Sequence, residues 1–256
     1  TDFYTIDFDK AKQIFNSKIK AIIAVHIYGQ SVDIKKLQNF CKRKKIYLIE
    51  DCSQAHGAID ESDYLKRKIG STSDISCFSL YPGKNLGAFG DAGIITTNNK
   101  KIFQIIKKIR NLGSEKKFIH EYVGFNSRLD TIQASILDIK LKDLTKLNNK
   151  RQIIAKKYDK EINNKNITKI FYTNGSVYHQ YVILVKNRKK FIKFLNKYKI
   201  GYNFHYPFSI DQLKVFKKKF DKNKFKNSNN LARNGISLPM DPNLSKNQIK
   251  FIIKKI

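Results

Sequence analysis

Cysteine is scarce, with three in 256 residues: Cys41, Cys52 and Cys77. They form no metal-type pair. Their odd number and wide spacing argue against a disulfide framework, which fits a reducing cytoplasm. Long apolar runs are missing too. The longest clean stretch, Ala21 to Tyr28, contains His26 and is far too short to span a bilayer. The opening residues Thr1-Asp2-Phe3-Tyr4 show neither a basic segment nor an apolar one, so no secretory signal is visible. An initiator methionine is lacking, as expected of a fragment or a processed product. Acidic residues are few: 21 Asp+Glu stand against 51 Lys+Arg, a formal charge of +30. Such a balance raises the question of nucleic acid. Yet arginine, preferred for bidentate phosphate or base contacts, is also scarce, at 7 residues against 44 lysines. No helix-turn-helix, zinc finger or aromatic stacking module interrupts the lysine background. The expectation is a solvated basic surface, with neither nucleic acid nor membrane as partner.

What is present supports a globular α/β protein. Hydrophobic residues make up 41% of the chain, enough for a core, and the length suits one large domain or two smaller ones. Residues 11–18 read as a helix. Lys20 to Tyr28 is a continuous apolar run closed by Gly29, the pattern of a buried parallel strand. Ile34, Leu37, Phe40 and Cys41 recur at helical spacing, with Asp33 as N-cap. A second strand, Tyr47-Leu48-Ile49, ends on Glu50-Asp51. This strand–helix–strand unit predicts a largely parallel sheet. Further strands are expected over 75–80 and 92–97, and a helix over 100–111. A polar loop is expected over 113–125, then a long helix in two pieces from about 130 to 162. Beyond it the sequence predicts a strand over 177–185 and a helix over 189–199. An extended piece follows at 201–205, then a Lys/Asn/Phe-rich loop or frayed helix at 217–228, and a last helix from Ser245. Two domains are expected, 1–155 and 156–256.

Two positions stand out chemically. Asp51 lies just past the end of a predicted parallel strand, where α/β folds place ligand groups. An acid there suits the protonated nitrogen of a heteroaromatic cofactor, although Asp51 taken alone reads better as a strand-end Asp capping the next helix. Lys84 lies in the turn Tyr81-Pro82-Gly83-Lys84-Asn85-Leu86-Gly87. A Pro-Gly turn between strands is a poor place for a merely solvated lysine, and a desolvated lysine is a Schiff-base nucleophile. Ser79, at the strand end, is able to donate to a phosphate or to serve as an ordinary turn serine.

Together the segments EDCSQAHGA (50–58), SCFSLYPGKNLGAFGDAG (76–93) and GFNSRLDTIQA (124–134) closely resemble the pyridoxal-phosphate-dependent nucleotide-sugar aminotransferases of the DegT/StrS type. VHIYGQSVDI (25–34), VYHQYVILV (177–185), GYNFHYP (201–207) and SLPMDPNLS (237–245) extend the resemblance over nearly the whole chain. It implies a fold-type I transferase: a large domain with a mainly parallel sheet, incomplete at its N-terminus, and a small α+β C-terminal domain. It implies that Lys84 bonds pyridoxal 5'-phosphate, that Asp51 pairs with the pyridine nitrogen and that Gln54 lies near the ring. Ser79 would bind the phosphate, and Asn126 would reach the phosphate of a neighbouring subunit in a homodimer with shared active sites. Glutamate is the implied amino donor in a ping-pong cycle. The lysine's neighbours resemble members acting on 3-keto sugars, which points to a dTDP-3-keto-6-deoxyhexose. Tyr81, His205 and Tyr206 match positions near the sugar, and no metal is implied. The place would be the cytoplasm, in amino-sugar and polysaccharide biosynthesis such as that of O-antigen. Where the family usually has a histidine after the His-Tyr-Pro, this chain has Phe208-Ser209-Ile210-Asp211-Gln212. The alternative is a truncated or regulatory, non-catalytic family member.

Overall fold

The computed structural model describes residues 3–216 and 225–256. Helix α1 (Phe8–Gln13) begins earlier than the predicted 11–18, because the Asp7 side chain accepts from Lys10 N and starts the first turn there. Strand β1 (Ala21–Val25) leads into helix α2 (Ile34–Lys44), capped by Asp33 through Lys36 N. Its Ile34, Leu37 and Cys41 are buried together with Ala24 and Leu48, and Phe40 is buried against the rings of Phe8 and Phe15. Burial of Ile34, Leu37 and Leu48 stabilises the fold by about 1.5–3 kcal/mol each. Strand β2 (Tyr47–Asp51) pairs in parallel with β1, Ala21 opposite Tyr47 and Val25 opposite Asp51. Strand β3 (Ile75–Ser79) pairs in parallel with β2, and β4 (Gly93–Thr96) closes the sheet antiparallel to β3. The order is β1-β2-β3-β4, a mainly parallel α/β sheet.

The run from Lys20 to Tyr28 is not a wholly buried strand. Ile23 is 61% and Val25 43% exposed, because α2 covers only one face of β1. The residues alternate across the sheet, so every second apolar side chain lies on the other face.

Helix α3 (Lys100–Ile109) follows β4 with Asn99 as its cap. The segment expected as a polar loop contains a short hairpin of β5 (Ser114–Lys116) and β6 (Ile119–His120). Helix α4 (Thr131–Glu161) is one unbroken helix of 31 residues instead of two pieces. It contains neither proline nor glycine, so no residue forces a break. Leu137 and Leu144 pack with Leu80, Leu86 and Ala88. Two turns and more further on, Ile154, Ala155 and Tyr158 enter a second core with Tyr181, Leu195 and Ile236.

That second core is built on β7 (Ile167–Lys169), β8 (Tyr181–Val185) and β9 (Gly235–Leu238), an antiparallel sheet in the order β7-β8-β9. Helices α5 (Arg188–Lys197), α6 (Lys226–Asn234) and α7 (Lys246–Lys255) accompany it. A capping box at Ser245 and Gln248 starts α7. Of the segment read as loop or frayed helix, 217–224 lies outside the described residues and 226–228 begin α6. Tyr28 joins the two halves, packing fully buried with Ile170, Val182 and Leu231. Among the described residues no helix is long and apolar enough to cross a membrane.

Candidate active site

The three parallel strands run in one direction, so their carboxyl ends gather the loops that carry the candidate residues. Asp51 is the last residue of β2, and its Oδ1 accepts from Ser53 N at 3.0 Å. Its neighbour Glu50 points to the other face and is wholly buried. Ser79 ends β3, and Tyr81 N donates to its Oγ at 3.4 Å.

The chain between β3 and β4 folds back tightly. Lys84 N donates to Tyr81 O (2.9 Å), Ala88 N to Leu80 O (2.8 Å) and Leu80 N to Ala92 O (2.8 Å). A Cβ on Gly87 would lie 2.4 Å from Pro82 O, so the turn closes only around a glycine. Leu86 and Ala88 anchor it on α4. Lys84 is thereby held half-buried. Burial lowers the pKa of its ammonium group, and the Asp51 carboxylate acts in the opposite direction without cancelling the effect.

Lys84 opens on a cleft of about 610 Å³, whose wall includes Gln54, Tyr81, His179, His205 and Tyr206. Gln54 ties its two sides together. Its Oε1 accepts from Tyr28 N (2.5 Å), and its Nε2 donates to the Tyr206 hydroxyl (2.8 Å). The Tyr28 hydroxyl donates in turn to the carbonyl of His205. The His205 ring meets Ser237 Oγ through Nδ1 at 2.8 Å. Burial and the charge of Lys84 lower the pKa of His205. Burial raises the Tyr206 phenol and the Asp51 charge adds to that, while the Gln54 bond opposes it.

The structure therefore brings Lys84, Gln54, Tyr81, His205 and Tyr206 to one cleft, with Asp51 close enough for its charge to act on Lys84 and Tyr206. Ser79 and Asn126 are not on its wall. Asn126 is exposed and its backbone bridges to Asn111. Sequence reasoning missed His179 as a wall residue, together with the amides of Asn85 and Asn148 behind it. The only local signal was Asn85, next to Lys84 in the turn.

Residues 1–256 match the DegT/DnrJ/EryC1/StrS aminotransferase family throughout. The chain belongs to this family. It is 37% identical, over 99% of its own length and 69% of the relative's, to the dTDP-3-amino-3,6-dideoxy-alpha-D-galactopyranose transaminase of Aneurinibacillus thermoaerophilus. It is 32% identical to the UDP-2-acetamido-2-deoxy-3-oxo-D-glucuronate aminotransferase of Pseudomonas aeruginosa, over 97% of the chain and 68% of the relative. Among solved structures, Streptomyces venezuelae DesV in complex with a ketimine intermediate superposes with a TM-score of 0.94 at 30% identity, over 100% of this chain and 69% of that one. The fold is that of a fold-type I transferase, and the family's cofactor is pyridoxal phosphate. The donor set of the cleft fits that group: a primary amine with a lowered pKa, a carboxylate acting on it, and an amide–phenol pair beside them.

Proposed function

We propose that the protein transfers an amino group from glutamate to a nucleotide-linked keto-sugar, a dTDP-3-keto-6-deoxyhexose, in the cytoplasm and for amino-sugar or polysaccharide biosynthesis. The observation that carries this reading is Lys84, half-buried in its Pro-Gly turn under the influence of Asp51, in a chain that matches sugar transaminases over almost its whole length. Lys84 would bond the cofactor, Asp51 would face its ring nitrogen and Gln54 would lie along the ring. Ser79 would take the phosphate, joined by Asn126 from a second copy of the chain in a homodimer. Bound there, pyridoxal phosphate supplies an electron sink for the pair left when a Cα–H bond breaks. Burial eases the loss of a proton from Lys84 Nζ, which suits this amine to take a proton from carbon and return it. Tyr81, His205 and Tyr206 would line the sugar side. The chain would divide into domains 1–155 and 156–256, a reading supported by the passage of α4 from a core that holds Leu144 to one that holds Ile154.

A regulatory reading has one observation in its favour. The chain is 32% identical to a "Pleiotropic regulatory protein" of Geobacillus stearothermophilus, over 99% of the chain and 68% of the relative. The presence of Lys84 favours turnover. Cofactor-loaded protein incubated with glutamate and dTDP-3-keto-6-deoxyglucose should form 2-oxoglutarate and an amino-sugar nucleotide in equal amounts by mass spectrometry. Formation of 2-oxoglutarate alone would exclude the acceptor; formation of neither would exclude the enzymatic reading.

A further inference from the structure

His179 stands on the stretch that enters β8, and this stretch is stitched to the other half of the protein. Val177 N donates to Gly29 O (2.8 Å) and Gln180 N to Tyr28 O (3.3 Å). Gly29, at φ +93°, packs so closely that a Cβ there would lie 2.8 Å from His179 N. The residue is 8% exposed and forms part of the cleft wall beside Lys84.

Its tautomer follows from two backbone carbonyls. Asn148 Nδ2 donates to His56 O (2.8 Å), which orients the Asn148 amide and leaves its Oδ1 as acceptor. Asn85 Nδ2 donates to that Oδ1 (2.9 Å) and to Val177 O (3.2 Å). Turning either amide over would set oxygen against oxygen. Asn85 Oδ1 must therefore accept, and its partner at 3.0 Å is His179 Nδ1. The proton of the neutral ring sits on Nδ1, and the lone pair sits on Nε2. Among the described residues Nε2 has no hydrogen-bond partner. A second proton is disfavoured: burial, and then the charges of Lys84, Arg151, His205 and His56, lower the pKa of the ring to about 3.

We propose that His179 is a specificity-determining residue whose Nε2, held as an acceptor by Asn85 and Asn148, takes a hydrogen bond from a hydroxyl of the bound sugar. This rests on the nucleotide-sugar reading above. A fixed acceptor of this kind selects substrates that present an O–H at that point, because a ligand without one leaves a buried lone pair unpaired. Asn85, adjoining Lys84 in its turn, makes the same network a link between the sugar wall and the amine.

Two measurements on the cofactor-loaded protein test this. Nitrogen-15 NMR of labelled histidine should show His179 as the neutral Nδ1–H form, without titration between about pH 5 and 8. An Nε2–H tautomer or a charged ring at pH 7 would overturn the proposal whatever the substrate. Addition of dTDP-glucose, but not of dTDP, should move the Nε2 resonance; an unmoved resonance despite bound dTDP-glucose would overturn it. By calorimetry, His179→Asn keeps a donor toward Asn85 and removes the acceptor. It should weaken dTDP-glucose binding about 3- to 10-fold and leave dTDP binding unchanged. His179→Gln, which returns an oxygen near the Nε2 position, should recover most of the loss. Equal weakening for dTDP and dTDP-glucose in both variants would mark a merely structural histidine. Failure of the unaltered protein to bind dTDP-glucose more tightly than dTDP would overturn the sugar reading and the ligand named here, while the ring spectrum would still decide the tautomer.

Discussion

His26 donates from Nε2 to the carboxylate of Glu50 at 2.9 Å, joining β1 to β2 where neither side chain meets solvent. Val32 N donates to His26 Nδ1 (3.2 Å), which leaves the Nε2 side of the ring to carry the proton that faces Glu50. Gly70 N (3.1 Å) and Ser76 Oγ (3.3 Å) complete the shell of the carboxylate. Burial by itself raises the pKa of Glu50, but the hydrogen bond and electrostatic influence of His26, with smaller contributions from Ser73 and Gly70, outweigh it and hold the group below its ordinary value of 4.5. The residue next in line on β2 is Asp51, so this pair fixes the strand end that presents the candidate cofactor ligand.

Glu50→Ala should therefore destabilise the protein by about 3–5 kcal/mol, since it strands several buried donors. The shift of the urea midpoint measures this. The pH dependence has a definite sign. A carboxyl group whose pKa is lowered on folding contributes its stability above its unfolded value and loses it as pH falls through the folded one. The stability of the parent should decline below about pH 4.5, and Glu50→Gln should flatten that decline.

Lys84 should be the residue that carries the cofactor. Borohydride reduction of the loaded protein, followed by peptide mapping, should place the label in the peptide containing Lys84. Lys84→Ala should lower transamination by at least about 10²-fold, since the proton carrier is gone. A label on any other lysine would overturn the assignment.

Asp51→Asn should keep the visible absorbance of the bound cofactor yet lose about 10²–10³-fold in transamination, the scale on which a preorganised charge assists a reaction. Stopped-flow of the glutamate half-reaction separates the two effects. Near-normal turnover would remove Asp51 from the role.

Asn126 is exposed in its own chain, as a residue serving a neighbour's site would be. Asn126→Ala should weaken cofactor retention by about 1–3 kcal/mol, the scale of a hydrogen bond to a charged group. Mixing it with a Lys84→Ala variant gives a sharper test. If Asn126 acts across the interface, each mixed dimer has one site with both defects and one with neither, and activity returns. No recovery after demonstrated subunit exchange would exclude a role in trans.

Some features were legible because their causes are local. The apolar runs that became β1 and β2, the Asp33 cap and the helical spacing of Ile34, Leu37 and Cys41 act within a few residues of one another. So do the Pro-Gly turn that presents Lys84 and the strand end that presents Asp51. The order of the motifs also carried the family resemblance. Other features depend on partners that sequence distance hides. Gln54 finds Tyr28 at a separation of 26 residues and Tyr206 at 152. Asn85 finds Asn148 at 63 and His179 at 94. No periodicity encodes such pairs, because amide and imidazole groups have no preferred face until packing removes water and makes every unpaired donor costly. The antiparallel pairing of β4, the open face of β1 and the passage of unbroken α4 from one core to the other were likewise decided by tertiary packing. The chain's own pattern set which residues are strands, helices and reactive groups; only folding set which of them share a cleft, since that depends on contacts between segments that local chemistry does not relate.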